Sequence, residues 1–203
     1  MVGRLLADLF DRVVTVDPHL HRTRALGQAL PGTEADSVSA ADACRRWLDR
    51  LPDDTVVIGP DSEAAQWVEP LAGGRDWAVL SKTRLGDRAV EMEIEDTMDL
   101  AGRPGLLVDD VCSTGVTLMR AAELLKRRGA AEVTALVTHA LFDRRTARAL
   151  REAGVTRIVS TDSVRHPTNR IRLAGTLAAA LAPALRRQEA RPTLQPCGHT
   201  PDF

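Results

Sequence analysis

The chain has 203 residues, room for one sizeable α/β domain or two small ones. Its 27 Lys and Arg stand against 28 Asp and Glu, a formal net charge of −1, which argues against general nucleic-acid or membrane-surface binding, and 3% aromatic residues leave few rings for stacking single-stranded bases. No apolar run approaches the roughly 18 residues of a membrane span, and three widely spaced cysteines, Cys44, Cys112 and Cys197, make no disulfide framework and fit a reducing, cytoplasmic setting.

Residues 1–10 carry Val2, Leu5, Leu6, Leu9 and Phe10 at helical spacing. They predict the tail of a helix, and Asp8 within it makes a poor signal peptide. Residues 12–17 predict a short strand ending in Asp17, followed by Pro18, His19, Leu20, His21 and Arg22. Ligands of open α/β sheets sit beyond the carboxyl ends of strands, so Asp17, His19 and His21 are placed for chemistry. A capping or loop pair is the plainer account of a lone Asp-x-His.

Residues 39–51 predict a helix with Ser39 as N-cap and one apolar face that includes Cys44, a packing residue on this reading. Residues 55–59 predict a buried strand. Asp61 follows it at a helix start, where an Asp is ordinarily an N-cap. Residues 77–81 predict a third strand, and Lys82-Thr83-Arg84-Leu85-Gly86-Asp87-Arg88 its basic exit loop. That loop is either a solvated hairpin turn with residues 89–94 returning, or a flap that brings positive charge to a transferring phosphoryl group.

The most informative stretch is Gly105-Leu106-Leu107-Val108-Asp109-Asp110-Val111-Cys112-Ser113-Thr114-Gly115-Val116-Thr117. An apolar strand, two carboxylates, a loop of small hydroxyl residues and a helix over residues 118–126 make an anion cradle. Gly115 permits close backbone approach or a positive φ. Ser113, Thr114 and Thr117 can donate to phosphate oxygens, and the carboxylates suit sugar hydroxyls or a Mg²⁺ reached through water. Turn and capping chemistry alone also puts Asp, Thr and Gly at strand-to-helix turns; the double Asp with Ser-Thr-Gly-x-Thr favours the cradle.

Beyond it, residues 133–139 predict a strand, 144–153 a helix closed by Gly154, 156–162 a last strand and 166–169 a turn. Residues 171–187 predict a helix that Pro183 kinks or ends. His139 lines the site or is a satisfied strand-end histidine. Residues 188–203 are Pro-rich and unpatterned, which predicts a disordered tail. Cys197 and His199 are too few for a metal site.

The segment from Asp109 to Thr117 resembles the phosphoribosyl-pyrophosphate (PRPP) loop shared by type I phosphoribosyltransferases and PRPP synthetases. Asp17-Pro18-His19, the run from Gly59 through Asp61 to Trp67, Lys82-Thr83-Arg84, and the runs Thr138 to Phe142 and Gly154 to Asn169 are similar to PRPP synthetases in particular. The resemblance implies an α/β fold with a mainly parallel sheet flanked by helices, of the type I phosphoribosyltransferase kind, over residues 1–187. Residues 1–10 would be the remnant of a preceding domain's last helix, since PRPP synthetases extend further at the N-terminus with a second, similar domain. It implies a ribose-phosphate diphosphokinase that moves diphosphate from Mg-ATP to ribose 5-phosphate, giving PRPP and AMP, in a homo-oligomer. On this resemblance Ser113, Thr114, Gly115 and Thr117 hold the 5-phosphate, and Asp109 and Asp110 the ribose hydroxyls and metal-bound water. His19 serves the ATP phosphates and, with Asp61, the Mg²⁺; Lys82 and Arg84 supply catalysis. Two departures stand out: many relatives have Asp where this chain has Ser113, and Gly where it has Val116. The alternatives are a phosphoribosyltransferase that consumes PRPP, for which no segment forms an obvious base-covering hood, and a non-catalytic homologue that binds ribose phosphate or a full-length partner.

Overall fold

The computed structural model describes residues 2–20, 25–85, 89–94 and 98–189, with backbone alone for 82–85, 89–91 and 184–189. His21, Arg22 and residues 190–203, which include Cys197 and His199, lie outside the described residues.

In chain order the elements are α1 (Val2–Leu9), β1 (Arg12–Val16), α2 (Leu26–Ala29), β2 (Glu34–Val38), α3 (Ala41–Leu48), β3 (Val56–Gly59), a 3₁₀ turn (Ser62–Ala64), α4 (Ala65–Ala72), β4 (Trp77–Val79), β5 (Ser81–Leu85), β6 (Ala89–Glu93), β7 (Gly105–Cys112), α5 (Val116–Arg127), β8 (Val133–Ala140), α6 (Arg144–Glu152), β9 (Arg157–Thr161), β10 (Asn169–Ile171) and α7 (Ala174–Glu189). Six strands form one sheet in the order β10-β9-β8-β7-β3-β4, with every neighbouring pair parallel.

Parallel strands covered on both faces need apolar residues at consecutive positions. Val56-Val57-Ile58, Leu106-Leu107-Val108 and Val133 to Val137 meet that need. Val56, Ile58, Leu107, Val133, Ala135 and Val137 pack on one face with Leu118, Ala121, Ala122 and Leu125 of α5 and Leu150 of α6. Val57, Leu106, Val108 and Leu136 pack on the other with Cys44 and Leu48 of α3 and Val68 and Leu71 of α4. The helix after β3 therefore lies on one face and the helix after β7 on the other, although the two strands are neighbours. That reversal opens a crevice beyond their carboxyl ends.

Five strands of the large sheet, β3, β4, β7, β8 and β9, follow the sequence pattern closely. β10 does not: residues 169–171 were expected to divide between turn and helix, but Asp162 N–H donates to Ile171 C=O at 2.9 Å and Asn169 pairs with Ser160. α7 starts later in consequence, after Leu173 N–H is taken by Asp162 Oδ1 at 2.8 Å. Pro183 lies inside α7 and does not end it. The surrounding Ala and Leu are strong helix formers, which favours carrying the helix past a residue that removes one donor and crowds the carbonyl four residues back. The helix continues to Glu189, past the expected limit at residue 187.

β1 is a strand, as expected, but it does not join the large sheet. It pairs in parallel with β2, from Arg12 opposite Glu34 to Val16 opposite Val38. β2 gives no apolar signal because Glu34, Asp36 and Ser37 occupy it; Arg12 of β1 holds Asp36 with N···O distances of 2.9 and 2.5 Å. A further correction concerns Lys82 and Arg84. They were expected in an exit loop, yet their backbone belongs to β5, antiparallel to β6, with Lys82 opposite Met92 and Arg84 opposite Val90. The chain follows the hairpin reading there, and the side chains of both residues lie outside the described part.

α6 is capped by Asp143, whose carboxylate accepts Thr146 N–H at 2.8 Å. Hydrogen bonding to Thr146 holds the Asp143 carboxyl below its ordinary 3.8. The ionised cap therefore stabilises the fold above 3.8, and that contribution is lost as pH falls through the depressed folded value. Asp143→Ala is expected to lower Tm at neutral pH, with the gap to wild type narrowing below pH 3.8. Thermal melts across that range check it; a gap that stays constant into acid rules out the cap as the cause.

Candidate active site

The two sheets meet through Asp17. This residue directly follows β1 with φ at +38°, is 7% exposed, and accepts Ala40 N–H at 3.0 Å and the Thr138 hydroxyl at 3.3 Å on the same oxygen. Burial is the larger influence on its carboxyl and raises it, against the lowering by those hydrogen bonds. From β8, the His139 ring Nε2 stands 3.1 Å from Val16 C=O and 3.2 Å from Asp17 C=O. Asp17, expected as a group placed for chemistry, is thus a buried anchor. His139 is a satisfied histidine: its Nδ1 meets Ser163 Oγ at 2.9 Å, and it borders a separate cavity of about 630 Å³ with Thr15, Ser163 and Leu173.

The anchored turn carries His19 over to β7. Its Nδ1 lies 2.5 Å from Asp110 Oδ2, across 91 residues of sequence. β7 runs on past both carboxylates to Cys112, two turns of pattern further than its apolar run suggests. Asp109 Oδ1 accepts Asp110 N–H at 3.0 Å, and Asp110 Oδ1 accepts Val111 N–H at 2.7 Å. On the neighbouring strand, β3 ends at Gly59, where an added Cβ would stand 2.7 Å from Ala64 Cβ and 3.0 Å from Val79 Cγ1. This tight exit delivers Asp61, which caps the 3₁₀ turn by accepting Glu63 N–H at 3.1 Å.

A cavity of about 420 Å³ opens at this crevice. His19, Asp61, Asp109, Asp110 and Thr117 line it, joined by Glu63, Trp67 and Val111. Five of the expected site residues, drawn from positions 19 to 117, therefore share one space. Glu63 and Trp67 were not assigned from the sequence; Trp67 sits in the helical pattern after Asp61, where an apolar residue reads as core.

Negative charge is concentrated here. Burial raises the Asp109 carboxyl to about 7, and the charges of Asp110 and Asp61 add to it. Three facing carboxylates are the donor chemistry of a hard, oxygen-seeking cation. Among the described residues no three His, Cys, Asp or Glu side chains form a metal cage by themselves.

Beside the cavity, Ser113 and Thr114 are exposed and Gly115 starts α5 with φ at +72°. No side chain caps this helix, so its first-turn N–H groups face the loop without a side-chain partner from the cap position. An added Cβ on Gly115 would lie 2.8 Å from Thr146 Cγ2. Lys82 and Arg84 cannot be placed against the cavity, because their side chains lie outside the described part.

Gly115→Ala is expected to cost about 1–2 kcal/mol from the left-handed backbone alone, with more from the contact to Thr146; chemical denaturation reads it, and an unchanged midpoint contradicts the tight loop. Cys44 and Cys112 are buried and their thiols are pushed up to about 12, by burial first and then by Asp17 and Asp109 respectively. Neither is expected to react with a thiol reagent in the folded protein, while both react in denaturant. Fast native labelling at either, mapped by mass spectrometry, overturns this.

The chain is similar to known proteins in sequence and in fold. The ribose-phosphate pyrophosphokinase of Methanopyrus kandleri is 34% identical over 190 residues, which span 89% of this chain and 62% of that protein. Ribose-phosphate pyrophosphokinase 1 of Archaeoglobus fulgidus is 30% identical, across 84% of this chain and 58% of its own. The chain thus spans less than two thirds of the length of these relatives. The crystal structure of phosphoribosylpyrophosphate synthetase from Mycobacterium smegmatis superposes with a TM-score of 0.69 at 26% identity, covering 92% of this chain and 64% of that one. The phosphoribosyl transferase domain model matches residues 35–169, from β2 to the first residue of β10, and so takes in the sheet's crevice, Asp61 and the whole loop from Asp109 to Thr117. By that match the chain belongs to the phosphoribosyl transferase domain family.

Proposed function

We propose that this protein is a ribose-phosphate diphosphokinase, which moves the diphosphoryl group of Mg-ATP to ribose 5-phosphate in the cytoplasm. The observation that carries the reading is one cavity lined by Asp61, Asp109, Thr117 and the His19–Asp110 pair, with the start of α5 beside it. The relatives named ribose-phosphate pyrophosphokinase support it. The exposed apolar side chains Val2, Leu5 and Leu9 of α1 are consistent with an assembly of several chains.

In this reading the N–H groups of α5, with Ser113, Thr114, Gly115 and Thr117, receive the 5-phosphate. Asp109, the more open of the two adjacent carboxylates, meets the ribose hydroxyls. The C1 hydroxyl oxygen attacks the β-phosphorus and gives its proton to water; the bond from that phosphorus to the α,β-bridging oxygen breaks, and AMP leaves with the electron pair. Asp61 and His19 would hold Mg²⁺ at the edge of this space, with Asp109 near. A bound Mg²⁺ supplies charge neutralisation and alignment of the triphosphate. Lys82 and Arg84, on the β5–β6 hairpin, are assigned to the negative charge that builds on the transferring group. Reactions of this kind depend on position and charge more than on a covalent nucleophile, and both described cysteines are too buried to serve as one.

Purified protein given ribose 5-phosphate and Mg-ATP is expected to release AMP, and Lys82→Ala to lower the rate by about 10²–10³-fold. No AMP above a blank, with ribose 5-phosphate still bound in calorimetry, would falsify the catalytic reading and leave a binding protein. Thr114→Val keeps the shape and removes one charge-assisted hydrogen bond, so ribose 5-phosphate affinity should fall by about 10–100-fold. Unchanged affinity removes Thr114 from the phosphate site.

A further inference from the structure

Among the described residues, Trp67 is the only Trp or Phe that lines the candidate active-site cavity. It is the third residue of α4. Its neighbours Val68, Leu71 and Ala72 are exposed by 1% or less and complete the packing of that helix on the sheet. Trp67 is only half-buried. One side packs against the same core and borders a small hollow with Cys44, Leu71 and Val108; the other reaches the cavity. The exit of β3 sets this placement. An added Cβ on Gly59 would stand 2.7 Å from Ala64 Cβ and 3.1 Å from Val68 Cγ2, so the first turn of α4 lies close against the strand end.

α4 and α5 cover opposite faces of the sheet, so Trp67 and Thr117 enter the cavity from opposite sides, with Asp109 at the end of β7. The other polar lining is rich in carboxyl oxygens, from Asp61, Glu63 and Asp109. Such oxygens accept from hydroxyl groups. An apolar plate facing acceptors fits a ring with hydroxyls on its edge and C–H groups on its face. A furanose has that form. A purine is less suited, because its ring nitrogens are themselves acceptors.

We propose that Trp67 is a specificity-determining residue whose indole packs against the C–H face of the ribose when the 5-phosphate is held at the start of α5. The phosphate brings charge-driven affinity, and Trp67 makes the site read the sugar attached to it. This rests on the ribose 5-phosphate reading given above.

The test compares wild type, Trp67→Leu and Trp67→Phe in calorimetry with two probes, ribose 5-phosphate and inorganic phosphate. Trp67→Leu should weaken ribose 5-phosphate by about 10-fold and leave inorganic phosphate within about twofold. Trp67→Phe, which keeps an apolar ring, should retain most of the sugar-phosphate affinity. Ribose 5-phosphate should also change the tryptophan fluorescence of the wild type and of Trp77→Phe, whose ring stands at the amino end of the sheet, but not that of Trp67→Phe. Equal loss for both probes in Trp67→Leu overturns the proposal, because it marks general damage to the site. So does unchanged ribose 5-phosphate affinity, or a loss confined to Mg-ATP, which assigns the indole to the nucleobase. A wild type that binds ribose 5-phosphate without releasing AMP defeats the reaction and leaves the probe comparison to decide Trp67. A wild type that binds inorganic phosphate but not ribose 5-phosphate overturns both.

Discussion

The carboxylate of Asp17 is the contact on which the rest of the site depends. β1 and β2 form a sheet of their own, and a two-stranded sheet is marginal by itself. Asp17 ties its end to Ala40 at the start of α3 and to Thr138 of β8, while His139 holds the carbonyls of Val16 and Asp17. A buried carboxylate at positive φ is costly in both burial and backbone terms. Its three-way anchoring offsets that cost, and it sets the turn that carries His19 to Asp110. Together with Val16, which packs against the core under α3 and α4, it fixes the residues after β1 relative to the large sheet.

The second organising constraint is electrostatic. Asp61 from β3 and Asp109 and Asp110 from β7 meet because the two strands are neighbours whose helices leave on opposite faces. Burial pushes the Asp109 carboxyl up to about 7, and repulsion from Asp110 and Asp61 in the same crevice adds to it. Each of the three is stabilised locally: Asp61 by Glu63 N–H, Asp109 by Asp110 N–H, Asp110 by Val111 N–H and His19. The remaining repulsion favours a positively charged ligand, and the adjoining uncapped start of α5 favours an anion. The crevice thus favours both signs of charge side by side, as the proposed reaction requires.

Much of this was legible in the sequence, and the reasons are local. Consecutive apolar residues in β3, β7 and β8 announce strands buried on both faces. Gly115 among small hydroxyl residues announces a tight turn into a helix, and its φ of +72° is the conformation that glycine adopts most readily. Asp61 reads as an N-cap and is one. β2 and β10 were not legible: one carries Glu34, Asp36 and Ser37, the other is three residues long, and both exist through pairing with a distant strand. Lys82 and Arg84 read as loop because their charge pattern is that of an exposed turn, whereas the β5–β6 ladder holds their backbone extended.

Sequence alone determined the elements whose cause lies within a few residues: the apolar strands, the cap at Asp61, the tight turn at Gly115 and the parallel class of the sheet. Tertiary structure decided which of these residues work together. His19 and Asp110 are 91 positions apart, and they meet where the turn after Asp17, anchored to Ala40 and Thr138, reaches β7. A hydrogen bond between such distant side chains leaves no periodicity to read, since it depends on where two sheets meet and not on the order of residues in either.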